Sequence, residues 1–275
     1  MESKKAGHSE PVISKTDEAA QESGPRPDIP VLAWYAPLIW LRKGWRDLRS
    51  HPGIAAFYGI SFMLMAQILA AVFRRAPEYT LTLVSGCLLL GPFMAMGLYE
   101  VSRRQEQGVE CDLSHSLTCW ESHLRSMAML ILVLMVLELL WGRASLVVFA
   151  VFFNTGMPST TGVVDAVFNP ENWEFVFVYM TIGGVFAGLV YALAVVSIPM
   201  ILDRDTDAIS AAITSVGVVY ANPMVMLFWG ILICLWVALA LWPGAWGLLV
   251  IGPWLGHASW HAYRESVHWP DASAS

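Results

Sequence analysis

Six stretches of apolar residues, each about 20 residues long, constrain the fold of this chain more than any other feature. A helix of roughly 20 apolar residues crosses the hydrocarbon core of a bilayer. Hydrophobic residues make up 56% of the chain and charged residues 14%, against about 45–50% and about 25% in soluble domains. The sequence therefore predicts an all-α integral membrane protein with six transmembrane helices. The predicted spans are Gly53–Phe73, Tyr79–Tyr99, Met127–Phe153, Trp173–Leu202, Met224–Leu241 and Gly244–Tyr263.

The positions of lysine and arginine predict how these helices are oriented. Basic residues in short loops are retained on the cytoplasmic side. If the N-terminus lies inside, the basic residues of the short loops fall at the cytoplasmic face, and only Arg74 and Arg75 lie opposite. Both termini are therefore predicted in the cytoplasm. Basic side chains beside a membrane attract anionic lipid headgroups. The predicted lipid contacts are Arg42, Lys43, Arg46, Arg49, Arg103 and Arg264.

The two ends of the chain are polar. Residues 1–30 are rich in Ser, Glu, Pro and Lys and poor in large apolar side chains, which predicts a disordered cytoplasmic tail. A segment that docks a partner is the alternative. No apolar core follows the first lysine pair, so this stretch is not predicted to be a cleavable signal. Residues 31–267 are predicted to form one six-helix transmembrane domain, and residues 268–275 a short polar C-terminal tail.

One phrase occurs twice, as GPFMAMGLYEVSRR at residues 91–104 and as GPWLGHASWHAYRE at residues 252–265. Each copy ends a predicted outside-to-inside helix. Before each predicted helix pair, apolar residues recur at the spacing of one helix face. These stripes are Leu113, Leu117, Trp120 and Leu124, then Ile209, Ile213, Val216 and Tyr220, and a shorter one at Leu41, Trp45 and Leu48. We predict three parallel repeats of an interfacial helix and a transmembrane hairpin, at about residues 36–104, 111–202 and 207–265.

The chain resembles a family of bacterial predicted integral membrane proteins that carry only a domain-of-unknown-function label. The resemblance covers about residues 36–267 and rests on GWRDLRSHPG, GPFMAMGLYEVSRR, ILDRDTDAISAAITSV, ANP and GHASWHAYRE. It implies six helices in a bacterial inner membrane. It implies no reaction and no catalytic residue.

Histidine and cysteine residues supply the first candidate site. Four of them recur at spacing four, namely Cys111, His115, Cys119 and His123, and His257 and His261 form another i, i+4 pair. Neighbours in such a run can share a metal, but one helix cannot supply a closed four-ligand zinc or copper site. Histidine is also at home where a helix leaves a bilayer. The prediction favours interfacial packing without a cofactor, with metal or haem binding as the alternative, and no structural disulfide.

Charged residues inside the third predicted span supply the second candidate site. Intramembrane charges are costly and usually face protein or a water-filled path. Glu138 and Arg143 lie about 140° apart on a helix, which makes them a poor direct pair. Gln67 in the first span is a possible partner by depth. The prediction favours structural polar contacts between helices, and a transport or proton role is the alternative.

The sequence contains no phosphate-binding glycine loop, nucleophile elbow or zinc-protease helix. We therefore predict that the protein is not an enzyme. Two classes of function remain. One is an accessory, assembly or scaffold protein that packs against a membrane partner and contacts lipid, without binding nucleic acid. The other is a small transporter or channel with a polar path near the two intramembrane charges.

Overall fold

The computed structural model describes residues 27–76, 79–153, 169–242 and 244–270, and the regular structure in these residues is helical. This confirms the predicted all-α class. The α-helices are α1 (Ala36–Ser50), α2 (Pro52–Arg75), α3 (Thr80–Gln107), α4 (Leu113–Thr118), α5 (Leu124–Phe152), α6 (Trp173–Ala194), α7 (Ser197–Arg204), α8 (Ala208–Ala221), α9 (Pro223–Leu241) and α10 (Leu248–Ser266). Short 3-10 turns cover Glu121–His123 and Pro170–Asn172.

Four segments of the described chain are long and apolar enough to cross a membrane. They are Pro52–Arg75, Leu113–Phe152, Trp173–Arg204 and Pro223–Leu241. They correspond to the first, third, fourth and fifth predicted spans. The second and sixth predicted spans lie in α3 and α10, which continue through Pro92 and Pro253 respectively. The count of six spans and the repeat architecture stay predictions.

Proline marks two helix boundaries where the sequence predicts a break. Helix α2 begins at Pro52 and α9 at Pro223. Proline suits the first turn of a helix, where its missing N–H is not needed, and disfavours helix in the residue before it. His51 and Asn222, the preceding residues, accordingly have non-helical backbone angles. These two predicted breaks are confirmed, whereas a third break, predicted at residues 125–127, is wrong because α5 runs unbroken from Leu124.

The predicted amphipathic helix over residues 113–124 is interrupted. Helix α4 ends at Thr118, and a 3-10 turn then leads into α5. Trp120 lies in this interruption and packs edge-on against Phe93 of α3, with ring centroids 5.7 Å apart. The apolar stripe nevertheless serves one surface, because Leu117, Trp120 and Leu124 line the same cavity of about 360 Å³.

The fourth predicted span is also interrupted near its end. Helix α6 stops at Ala194 and α7 begins at Ser197. Pro199 lies in the first turn of α7, where its missing N–H is not needed. The N–H of Val196, between the two helices, donates to the hydroxyl of Ser215 on α8, at 3.1 Å. A tertiary contact therefore satisfies a backbone donor at the interruption.

Helix α10 lies at the centre of the fold and packs against α1, α2, α3 and α9, whereas α5 and α6 pair beside them. Glycine permits two close approaches to α10. A Cβ at Gly44 of α1 would lie 2.6 Å from the nitrogen of Ala258, and one at Gly59 of α2 would lie 2.1 Å from the carbonyl oxygen of Leu249. Neither position has room for a side chain, so backbone meets backbone on both sides of α10.

The two ends of the described chain pair with each other. The backbones of Asp28 and His268 exchange hydrogen bonds of 2.7 and 2.9 Å. Close by in sequence, the carbonyl of Pro30 accepts a hydrogen bond of 3.0 Å from the side chain of Asn222. The disorder predicted for the N-terminal tail falls mostly on residues 1–26, which lie outside the described residues.

Candidate functional site

Five polar side chains meet where α1, α3 and α10 pack together, and we call them the buried polar network. They are Asp47 on α1, Ser102 and Glu106 on α3, and His257 and His261 on α10. All except Glu106 are at most 3% exposed. Polar groups at this depth need hydrogen-bond partners, and the network supplies them from three helices.

His261 bridges two carboxylates. Its Nε2 lies 2.7 Å from Oδ2 of Asp47, and its Nδ1 lies 3.3 Å from Oε1 of Glu106. An ionised carboxylate can only accept a hydrogen bond. Both ring nitrogens can donate to the two carboxylates at once only in the imidazolium form of His261. The ring joins α1 and α3 to α10.

The contacts among Asp47, Ser102 and His257 determine which ring nitrogen of His257 carries the proton. The hydroxyl of Ser102 donates to Oδ2 of Asp47 at 2.8 Å, and the hydroxyl oxygen of Ser102 lies 2.8 Å from Nδ1 of His257. Since the hydroxyl proton points at the carboxylate, we assign the other hydrogen bond to Nδ1–H of His257 as donor. Its Nε2 is then a buried lone pair. The backbone of Leu98 lies near this ring, but within the described residues no group meets hydrogen-bond geometry at Nε2.

The two carboxylates of the network are held ionised. Burial raises the pKa of Asp47, but the hydrogen bond and charge of His261 and the hydroxyl of Ser102 outweigh it, so the pKa lies below its ordinary value. Burial likewise raises the pKa of Glu106, and His261 together with Arg264 lowers it further than burial raises it. Both carboxylates therefore retain the charge on which the bridge depends.

The network extends to α7 through Arg264. This guanidinium contacts Glu106 through Nε at 3.2 Å and Asp203 through Nη1 at 3.6 Å. Tyr263 also donates to Asp203, at 2.8 Å. Four helices are thus joined at the same end of the fold.

The order of groups in the network determines its chemistry. In a hydrolase triad, imidazole lies between the carboxylate and the hydroxyl and removes the hydroxyl proton. Here Ser102 lies between Asp47 and His257, and the imidazole donates to it. Ser102 is also 0% exposed. This arrangement gives the hydroxyl neither a base nor access to a substrate.

The predicted metal ligands do not converge. His115 contacts the cap residue Asp112 at 2.6 Å, and His123 contacts the backbone carbonyl of Cys119 at 3.0 Å. His257 and His261 engage different partners. Among the described residues, no group of three or more His, Cys, Asp and Glu side chains is placed to hold a metal.

The predicted intramembrane polar residues have different surroundings. Glu138 of α5 lines a cavity of about 190 Å³ that also touches Gly183 of α6. Arg143 is exposed on the surface of α5. The side chain of Gln67 donates to the carbonyl of Gly244, in the turn before α10. Gln67 therefore stabilises that turn.

The predicted lipid contacts divide into two groups. On α1, Arg42, Arg46 and Arg49 are exposed, and the guanidinium of Arg49 lies 5.0 Å from the ring of Trp45. In contrast, Arg103 and Arg264 form ion pairs with acidic side chains. Lys43 of α1 is half-buried.

Sequence reasoning found the two histidines of the network but missed their partners. One signal was present. Trp40, Gly44 and Asp47 follow i, i+4, i+7 spacing on α1, and all three are buried. An acidic residue on the apolar face of a helix predicts a buried partner. Ser102 and Glu106 carry no comparable signal.

Comparison with known proteins identifies one family. Residues 80–203 match the model of a family described as predicted integral membrane protein (DUF2189). The predicted resemblance is confirmed over this segment, and the chain is an integral membrane protein with several candidate spans. No curated protein matches the chain. No solved structure matches it either.

Proposed function

We propose, from the premise that residues 80–203 match a family of integral membrane proteins, that this chain is a non-enzymatic component of the bacterial inner membrane that acts in accessory, assembly or scaffold roles. The observation that carries the proposal is the buried polar network. Its hydrogen bonds join helices to one another, and its serine and both histidines are buried away from solvent. Such a network gives a rigid body on which a partner can pack.

The proposed architecture has six membrane-crossing helices in three parallel repeats. A shorter helix precedes each pair of long helices: α1 precedes α2 and α3, α4 precedes α5 and α6, and α8 precedes α9 and α10. The pairing of Asp28 with His268 supports termini on one side, as an even number of crossings requires. The positive-inside rule makes that side the cytoplasm.

Anionic lipids are the proposed second partner at the cytoplasmic face. Helix α1 supports this because it buries Trp40, Gly44 and Asp47 against the bundle and exposes arginines on the other side. A helix of this kind lies in the plane of the interface. Each basic residue near an anionic surface contributes about 1 kcal/mol.

A transporter is the second candidate, and one observation favours it. Glu138 lines a cavity between α5 and α6, and intramembrane carboxylates often mark proton or substrate pathways. The lining of this cavity is otherwise apolar, with Leu134, Trp141 and Phe186 among its members. This surrounding supports a packing role for the carboxylate.

Two measurements separate these functions. Mild detergent extraction followed by cross-linking should recover a stoichiometric membrane partner whose cross-links map to one face of the chain. In reconstituted vesicles, Glu138→Gln should lower the thermal midpoint without changing any ion or proton flux, and the exposed Glu174→Gln should change neither. Flux that disappears in Glu138→Gln at unchanged thermal midpoint would establish the transporter instead.

A further inference from the structure

Two arginines near the end of α3 are held by one buried carboxylate. Glu100 is 2% exposed. Its Oε2 accepts from Nε of Arg103 at 2.8 Å, and its Oε1 accepts from Nε of Arg104 at 2.7 Å. We call Arg103 and Arg104 the arginine pair. Because one glutamate supports two guanidinium groups, the trio carries a net positive charge.

The arginine pair retains unused donors. Both contacts with Glu100 use Nε, and the only further hydrogen bond of the pair within the described residues runs from Nη1 of Arg104 to the carbonyl of Glu110, at 3.3 Å. Both terminal nitrogens of Arg103 and Nη2 of Arg104 are therefore available. The two side chains are 28% and 24% exposed, so these donors reach the surface of the protein.

Anchoring through Nε orients a guanidinium for anion binding. The planar fork of arginine matches the oxygens of phosphate, and a fork that is already fixed loses less conformational freedom when it binds. The arginines of α1 lack this support, since the nearest acidic contact of Arg46 is Asp47 at 3.8 Å. The side chains of the arginine pair are therefore held in place more firmly than the arginines of α1, although both groups are positively charged.

We propose that the arginine pair is a clamp for the phosphate of an anionic phospholipid headgroup, oriented by Glu100. The inference rests on the proposed position of this end of α3 at the membrane interface. Free inorganic phosphate shares the recognised chemistry and is the other source of such an anion.

The decisive experiment replaces arginine by lysine, which preserves the positive charge and removes the planar guanidinium group. Binding of a fluorescent short-chain phosphatidylglycerol to the full-length protein in neutral detergent is measured for Arg103→Lys/Arg104→Lys and for the matched control Arg42→Lys/Arg46→Lys. The clamp predicts about tenfold weaker binding in the first variant, because lysine cannot bind bidentately, and a change under about twofold in the control. Equal effects in both variants, or none in either, overturn the clamp.

Glu100→Gln provides a second test, because the clamp and simple electrostatic attraction predict opposite changes in lipid affinity. The substitution adds one net positive charge, so simple electrostatic attraction predicts tighter binding of phosphatidylglycerol. The clamp predicts weaker binding, since the arginine pair loses its ionic anchor. Thermal midpoints confirm that each variant is folded. If Glu100→Gln unfolds the protein, the lysine variants still decide.

Two further ligands, phosphatidylcholine and inorganic phosphate, show whether the bound phosphate belongs to a lipid. Phosphatidylcholine, whose phosphate is paired with a choline cation, should bind at least about tenfold more weakly. Inorganic phosphate should not displace the lipid at matched concentration, and displacement would overturn the lipid assignment. Neither result depends on partner recovery, so failure of the scaffold proposal leaves the clamp measurable, and failure of the clamp leaves partner recovery unchanged.

Discussion

Asp47 connects the two histidines of the buried polar network, His261 directly and His257 through Ser102. It accepts from both His261 and Ser102, and it is 1% exposed. A buried charge that loses its partner retains the full cost of desolvation. The contribution of the Asp47–His261 pair to stability should therefore be measurable mainly when one of the two residues is replaced.

We expect Asp47→Asn and His261→Gln each to lower the free energy of unfolding by about 3–5 kcal/mol, because each removes the shorter ionic contact of a buried group. The double variant should cost less than the sum of the two. Asp205→Asn is the control, since this side chain is 80% exposed and asparagine tolerates its left-handed backbone. Thermal midpoints in detergent provide the measurement, and additive effects would contradict the pairing.

Acid should weaken the same network. The folded pKa values of Asp47 and Glu106 lie below their ordinary values of 3.8 and 4.5. Their contribution to stability is therefore fully present above those values and is lost as pH falls through the lower folded pKa values. The charged groups that face them are His261, Arg46 and Arg264, with His257 nearby.

A pH series of thermal midpoints tests this expectation. The midpoint should fall steeply below about pH 4.5, as the two carboxylates become protonated. Asp47→Asn should be less stable throughout and should show a shallower fall. A wild-type protein whose midpoint is unchanged at pH 3.5 would show that neither carboxylate needs its charge in the fold.

At the residue scale, the sequence located two of the five members of the network. His257 and His261 stand out because they share a helix face and lie near a predicted interface. Their partners lie up to 214 positions away along the chain, and periodicity contains no information about contacts of that separation. The burial of Glu100 could not be predicted from the sequence either, since a Glu followed by two Arg is common on a solvated helix end.

At the element scale, the repeated phrase has a structural explanation. Glu100 of the first copy and His261 of the second occupy the same position in the phrase, and both are buried and ionically paired. The matching Arg103 and Arg264 follow three residues later, and each contacts a carboxylate. Both copies therefore bury an ionic group one turn before an arginine at the end of a long helix.

The packing of α2 against α10 gives a prediction at this scale. Gly59→Ala should lower the free energy of unfolding by about 1–3 kcal/mol, because the new Cβ would overlap the backbone of Leu249. Gly53→Ala on the same helix is the matched control, as its Cβ would have no neighbour within 4 Å. Equal thermal midpoints for the two variants would show that α2 and α10 do not pack this closely.

Helix positions were more predictable than helix continuity. The prolines at residues 52 and 223 predicted real boundaries, since the ring acts on its own backbone. The interruptions after Thr118 and Ala194 depend on tertiary contacts, namely Trp120 with Phe93 and Val196 with Ser215. Such contacts form only when the helices assemble, so no local pattern predicts them.

At the scale of the whole molecule, the two chain ends define one side of the fold. Asp28 and His268 form an antiparallel backbone pair. Residues that exchange both hydrogen bonds have Cα atoms about 5.5 Å apart, which is within the range of a disulfide. The same end holds the buried polar network and, in the proposed topology, faces the cytoplasm.

Cysteine substitution tests both the pairing and the orientation. In a background lacking the free cysteines Cys87, Cys111, Cys119 and Cys234, the double variant Asp28→Cys/His268→Cys should form an intramolecular disulfide on mild oxidation. Each single variant should react with a membrane-impermeant maleimide only after the inner membrane is opened, because basic residues hold this end inside. Labelling of both positions in spheroplasts with an intact inner membrane would invert the topology, and labelling of only one would contradict the pairing of the termini. Gln107→Cys, at the end of α3 that carries the arginine pair, should label like both termini if this end of the bundle lies on the same side.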